Sequence, residues 1–487
     1  MYYIGIDLGT TGCKAIVFSN EKGVLGDEYV EYPLIVRSQR EVEQDANLWW
    51  DLVCRVVKAS VEKSGVDPAQ IESLSLSTQG LSFVLVDREL NTLGNAITWL
   101  DTRPVEETEY ILTKFTEDKV FGMTGKRVTD VYVLPKLMWV KKHMPEEWAK
   151  AYKVLMPVDF LTAKMTGNCI TDHTLASGTM MYDIHTQTWS DELIDTFDIE
   201  KDKLPEIAFA GTVAGTLTQQ AAEKMGLVTS VKVVIGGQDQ KVAALFVQPD
   251  LTTATLSMGT AGAIEFLCDQ PITDPDKKLP AFSFLVPERW TLEAVVSTTG
   301  ACLKWFRNTL FAGEKFRQID EWAMQAEAGC NGLMFYPHLS GASSPVWNSD
   351  LRGSFHGITL DTNKYDFCRS VLEGVAFQLR SNLLVFEKLC RKLTTINVFG
   401  GGSSPVWCQI IADITGKNVT VYPYPEVCSL GAAKLAYMGV HGGKEDGFGE
   451  GFLKDFTTYR PDADRHEIYK KVYEQYAALE EVLSKHA

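Results

Sequence analysis

The chain has 487 residues and a formal net charge of −16. That length exceeds what one hydrophobic core serves and predicts two domains, and the acidic balance excludes a general nucleic-acid binder, whose phosphates it repels. Ten cysteines include no Cys-x-x-Cys pair, which excludes a zinc ribbon and predicts reduced thiols in a cytoplasmic protein; neither a signal peptide nor a membrane span is expected, because the chain opens on a strand-like run and lacks a long apolar stretch.

Residues 2–8 alternate and are rich in Ile and Tyr, as a strand requires. Gly9 to Gly12 form a turn, Cys13 to Phe18 a returning strand, and Val24 to Tyr32 a third, so an antiparallel meander opens the chain. Asp45 to Ser64 reads as a helix capped by Asp45, with Leu48, Trp49, Leu52, Val56 and Val57 at helical spacing. Ile71 to Leu76 and Ser82 to Asp87 are strand-like; Val133 to His143 and Trp148 to Gly167 are helical or mixed. An apolar strand at 231–237 leads into a helix from about Gln240 to Phe246, and Gln248-Pro249-Asp250 reads as a hinge, since proline discourages continued helix.

Beyond the hinge the opening pattern returns. Asp7-Leu-Gly-Thr-Thr-Gly12 and Ser257-Met-Gly-Thr-Ala-Gly262 agree at Gly9/Gly259, Thr10/Thr260 and Gly12/Gly262, 250 residues apart. We read an internal duplication. Helical stretches follow at Ala301 to Phe311, Phe316 to Ala328, Asp366 to Leu393 and Pro405 to Gly416, with a strand, Ile396 to Phe399, before Gly400-Gly-Gly402. Arg465 to Lys485 reads as an amphipathic helix presenting Ile468, Val472, Tyr476, Leu479 and Val482.

Two glycine-threonine turns from two half-domains can clamp a triphosphate. Their backbone N–H groups approach phosphate closely, Thr10, Thr11 and Thr260 add hydroxyls, and Lys14 adds charge. Asp7 is placed either to hold Mg²⁺ or simply to bond its own turn. Asp239, in Gly236-Gly-Gln-Asp-Gln240, reads equally as an acceptor for a substrate hydroxyl proton and as a helix N-cap. No GxxxxGK[ST], GxGxxG, Gly-x-Ser-x-Gly or HExxH segment occurs, so P-loop, nicotinamide, α/β-hydrolase and zinc-protease chemistries lack support.

These residues resemble the FGGY family of carbohydrate kinases, on Gly5-Ile-Asp-Leu-Gly-Thr-Thr-Gly12, Trp99-Leu-Asp-Thr-Arg103, Pro135-Lys-Leu-Met-Trp139, Gly236-Gly-Gln-Asp-Gln240, Ser257-Met-Gly-Thr260 and Gly400-Gly-Gly402. Gly353-Ser-Phe-His-Gly-Ile358 with Asp366-Phe-Cys-Arg-Ser-Val-Leu-Glu373 is similar to the family's C-terminal signature. The resemblance implies an α/β chain of two actin-like (ribonuclease H-like) ATPase domains flanking a deep cleft: residues 1–247 mainly for sugar, 248–487 mainly for ATP. It implies Asp239 as catalytic base, Asp7 and Asp239 at Mg²⁺, and Thr10, Thr11, Lys14, Gly259, Thr260, Gly300, Gly401 and Gly402 around ATP. Gln79, Trp99, Asp101, Arg103, Asp239 and Gln240 are the sugar-site candidates, with an internal ion pair the alternative for Asp101 and Arg103. The xylulose kinase branch looks nearest, yet Leu81 stands where that branch carries histidine, and the loop Ser403-Ser-Pro-Val406 is one residue shorter than the family pattern. A ketose such as xylulose is the expected substrate and a homodimer the expected assembly. A non-catalytic sugar sensor on the same fold, and an ATPase that moves protein partners, are the competing readings.

Overall fold

The computed structural model describes residues 1–247, 250–450, 452–454 and 456–486, so Gln248 and Pro249 of the expected hinge lie outside the described residues. Tyr3, Ile4, Ile6 and Leu8 of the first strand are all buried, because helices cover both faces of the sheet it belongs to. That sheet runs β5-β6-β4-β1-β2-β3, with β1 Tyr2–Leu8, β2 Gly12–Ser19, β3 Gly23–Glu31, β4 Ile71–Thr78, β5 Val213–Thr216 and β6 Lys232–Gln238. β1, β2 and β3 form the expected meander, while β1, β4 and β6 are parallel neighbours.

The second sheet repeats this plan. Its strands are β7 Thr253–Met258, β8 Gly262–Cys268, β9 Ala281–Ser283, β10 Trp290–Val296, β11 Thr395–Phe399, β12 Asn418–Val421 and β13 Thr457–Tyr459, ordered β9-β10-β8-β7-β11-β12-β13. β7, β8 and β10 are antiparallel, β7, β11 and β12 parallel, and β13 antiparallel at the edge. Strand order and direction therefore match the first sheet position by position, as an internal duplication requires, with β9 the addition.

The helix Ala46–Ser64 packs Trp49, Val53 and Val56 onto one face of the first sheet. Asp45 caps it, accepting the Asn47 N–H at 2.9 Å. The opposite face, with Tyr3, Ile16 and Phe18, is covered by the helix Val427–Val440 from far along the chain. A cut at 247/248 thus leaves a helix of the second half on the sheet of the first. Four elements differ from the sequence reading, one being the helix expected over Asp366–Leu393, which runs Lys364–Leu389. The strand expected over Ser82–Asp87 is confined to Val84–Val86, and the helix from Phe316 stops at Ala323. The last helix, Ala463–His486, buries Tyr469, Tyr476 and Glu480 and leaves Ile468 and Val482 exposed. Its seam is a polar-aromatic one: Tyr476 stacks on Tyr336 at 4.4 Å, and Glu480 pairs with buried His338 at 2.9 Å.

Glycine sets the distance between the first sheet and its returning helix. A Cβ on Gly5 would overlap the Ser429 carbonyl, and one on Gly431 would overlap that of Val242. Gly5→Ala is expected to lower unfolding free energy by about 3 kcal/mol or more, the scale of overpacking in a tight core, read as a fall in the urea midpoint at unchanged slope.

Candidate active site

Each meander ends in a turn that the rest of its half holds in place. In the first, the Gly9 N–H donates to Gly12 O at 3.0 Å, the Tyr32 hydroxyl donates to Gly9 O, and the Trp99 indole donates to Thr10 Oγ1 at 2.9 Å. In the second, the Gly259 N–H donates to Ala261 O at 3.1 Å, and the helix Gly300–Leu310 ties back through Gly300 N–H to Gly259 O at 3.0 Å and Ala301 N–H to Thr260 O at 3.0 Å. A Cβ on Gly300 would collide with that Gly259 oxygen. Gly400 takes a left-handed φ of 99° and lets the Gly402 N–H reach Met258 O at 3.0 Å.

Gly259, Thr260, Gly300, Gly401 and Gly402 open on a cavity of about 530 Å³. Trp305, Phe316 and Trp407 give it flat apolar walls, and Asp320 presents a buried carboxylate oxygen without a partner among the described residues. Sequence reasoning misses these four. Nothing separates them in the sequence from ordinary amphipathic-helix residues, and only their convergence identifies them.

Two carboxylates stand at strand ends of the first sheet, each within the other's field. Asp7 is the last residue but one of β1, and its Oδ1 accepts from the Ser77 hydroxyl at 2.8 Å. Burial raises its pKa to about 6, against the opposing pull of Ser77 and Lys14. Asp239 follows β6 directly and opens the helix Asp239–Val247, its Oδ1 accepting from the Gln240 N–H at 2.7 Å and the Gln238 amide at 2.6 Å. Burial, then the charge of Asp7, raises it to about 7. Lys14 is committed to carboxylates, 2.8 Å from Glu426 and 3.5 Å from Asp27. Asp7, Lys14, Ser257, Gly400 and Glu426 share a cavity of about 200 Å³. Two hard oxygen donors suit Mg²⁺, which keeps water and phosphate oxygens as its other ligands. Among the described residues no group of three His, Cys, Asp or Glu side chains could hold a metal by itself.

The sugar-site candidates divide. Gln79 is buried, donates to Gln44 Oε1 at 2.7 Å, and keeps its own Oε1 unpartnered among the described residues. Trp99 is 40% exposed and Gln240 half-buried beside Asp239. Asp101 is fully buried: its oxygens accept from Arg103 Nε and Nη2 at 2.7–2.9 Å and from the Val42 N–H at 2.8 Å. Arg103 also reaches Glu43 at 2.9 Å and stacks over Trp139. This pair has the geometry of the internal alternative. Leu81 sits at a left-handed φ of 58°, packed on the core.

Behind Asp239 lies a joint between the halves. Lys241, fully buried on the Asp239 helix, reaches Glu265 of β8 at 2.9 Å and pairs with Glu293 of β10. Burial pushes Glu265 up to about 8, whereas Lys241 holds Glu293 below the usual range despite burial. Lys126 lies alongside, its ammonium 3.4 Å from the Phe282 ring centroid, with its pKa pushed well down by burial and by Lys241.

A duplicated sheet whose paired turns converge on one cleft is the architecture of the two-domain actin-like ATPases. Solved structures share it: gluconate kinase from Lactobacillus acidophilus (TM-score 0.93, 27% identity, covering 99% of this chain and 98% of that one) and ligand-bound xylulose kinase from the same organism, with the same score, identity and coverage. Within that class the chain belongs to the FGGY family of carbohydrate kinases, whose N-terminal domain matches residues 2–246 and C-terminal domain residues 254–440. Xylulose kinase of Bacillus subtilis is 30% identical over 478 residues, 98% of this chain and 96% of the relative; gluconokinase of the same organism is 28% identical over 501 residues, 99% and 96%. The protein is thus a carbohydrate kinase, and its family uses ATP with Mg²⁺ as phosphoryl donor. No helix among the described residues is long and apolar enough to cross a membrane.

The joint can be tested on its own. Lys241→Met leaves Glu265 and Glu293 buried without their cation and is expected to cost about 3–5 kcal/mol, read in urea unfolding. Adding Glu265→Gln and Glu293→Gln is expected to recover most of that loss.

Proposed function

We propose that the protein transfers the γ-phosphoryl group of ATP to a hydroxyl of a small ketose such as xylulose, with Asp239 taking the hydroxyl proton. The observation that supports this reading is Asp239 itself, half-buried directly after a strand of the first sheet and within the field of Asp7, the last residue but one of the strand that leads into the first turn. ATP supplies the phosphoryl group; Asp7 and Asp239 would hold Mg²⁺, which would offset the phosphate charge. Thr10, Thr11 and the N–H groups of the first turn, with Gly259 and Thr260 of the second, hold the phosphates. Gly300, Gly401 and Gly402 border the base and ribose; a Cβ on Gly401 would meet nothing in the protein, so what its absence keeps clear is the cavity. The free Gln79 oxygen, Trp99 and Gln240 orient the sugar, and Asp101 with Arg103 sets the Trp99 loop. Residues 1–247 carry mainly sugar and 248–487 mainly ATP. Several xylulose kinase relatives support the ketose; Leu81 and the gluconokinase relative keep sugar acids in the assay. A homodimer and a cytoplasmic location belong to the same reading, resting on family resemblance and composition.

The test is ADP release with Mg-ATP over a panel of ketoses, aldoses, polyols and sugar acids. One ketose is expected to dominate. ATP binding without transfer to any sugar would favour the sensor reading.

Asp239→Asn keeps the side-chain shape and removes the base, so kcat is expected to fall by ~10²–10⁴ while calorimetry still shows ATP binding. The base acts as its carboxylate, which is lost as pH falls through about 7. The kcat/KM for sugar is therefore expected to decline on the acid side of about pH 7, and a profile flat from pH 5 to 8 would remove Asp239 from the proton transfer.

A further inference from the structure

Phe266 of β8 stacks on Phe386 of the helix Lys364–Leu389, with ring centroids 4.5 Å apart and planes at 11°. Two residues along a strand and four along a helix return to the same face, each advancing about 6–7 Å. The next pair along this seam is Cys268 with Cys390, and just beyond it Asp269 and Arg391 form an ion pair. The Cys268 thiol is buried and donates to the Phe266 carbonyl at 3.6 Å; Cys390 follows the last turn of the helix, half-buried, and its sulfur accepts from Arg391 Nε at 3.4 Å.

We propose that Cys268 and Cys390 form an oxidisable dithiol, a modification site in which Cys390 reacts with a peroxide and Cys268 resolves the product as a disulfide. The Cys390 thiolate attacks one peroxide oxygen, the O–O bond breaks, and the departing hydroxide takes a proton to leave as water, giving a sulfenic acid. The Cys268 sulfur then attacks the Cys390 sulfur. The S–S bond forms, the S–O bond breaks, and the Cys268 proton leaves with the hydroxyl as a second water. Two electrons pass from the two sulfurs to the peroxide. The roles follow from the surroundings. The neighbouring Cys268 thiol and the Arg391 guanidinium lower the Cys390 pKa, whereas the Cys390 sulfur and burial raise that of Cys268. Neither cavity of the cleft includes the pair, so its chemistry can be read without turnover.

The experiment treats reduced full-length protein with hydrogen peroxide, blocks remaining thiols, and maps the unreduced digest by mass spectrometry. The expected product is a cross-linked Cys268–Cys390 peptide pair lighter by two hydrogens, and alkylation of Cys390 about tenfold faster than that of Cys169 and Cys428, which are also half-buried. In Cys268→Ser, dimedone is expected to trap a sulfenic acid on Cys390. Over-oxidation of Cys390 without a cross-link in the unmutated protein, or its alkylation no faster than Cys169, overturns the proposal and needs no variant to be seen.

Discussion

The close approach of the helix Val427–Val440 to the first sheet is the contact on which the cleft depends. Gly5 admits the Ser429 backbone, and Gly431 admits that of Val242 on the Asp239 helix. Because the approach is backbone to backbone, it leaves little freedom in where the start of the returning helix lies. Glu426 and Cys428, at that start, are thereby delivered to the end of β1, next to Asp7 and Lys14. A sheet of the first half, a helix of the second and the helix that begins with Asp239 become one packed unit.

That unit concentrates negative charge beside the first glycine-threonine turn. Asp7 shares a cavity with Glu426 and lies in the field of Asp239, with Lys14 already committed to carboxylates. Such a charge is unfavourable for phosphate without a divalent cation, and the family's phosphoryl donor comes with one. The Asp7 charge that raises the Asp239 pKa also makes Asp239 a better proton acceptor once ionised, which is what the role proposed for it near neutral pH requires.

The turns and the strand-end aspartates are legible in the sequence because their chemistry is local: glycine, threonine and aspartate follow one another within a few residues. The topology is legible for the same reason, since the repeated turn marks both meanders. The ion partners are another matter. Lys14 and Glu426 are separated by 412 positions, and no periodicity connects them. Trp305, Phe316, Trp407 and Asp320 converge from separate helices that look amphipathic in isolation. Ile468 and Val482 show the opposite failure: hydrophobicity points the last helix outward, and stacked tyrosines with a buried Glu–His pair turn it round.

The duplication itself hides one feature, because its two copies are not in register. β1 and β2 pair Leu8 with Cys13 across a four-residue turn, whereas β7 and β8 pair Met258 with Gly262 across three. A one-residue change in a turn reverses which face each following side chain takes. Aligned by sequence, Glu265 falls on Ala15; aligned by pairing, Ala263 takes the place of Lys14 and Glu265 that of Ile16, which packs against the interface between the halves. The shortened turn therefore both removes the charged partner from Ser257 and turns a glutamate toward Lys241. The asymmetry between the copies, a carboxylate site in one and a buried joint in the other, follows from a single residue of turn length together with the Asp7-to-Ser257 difference.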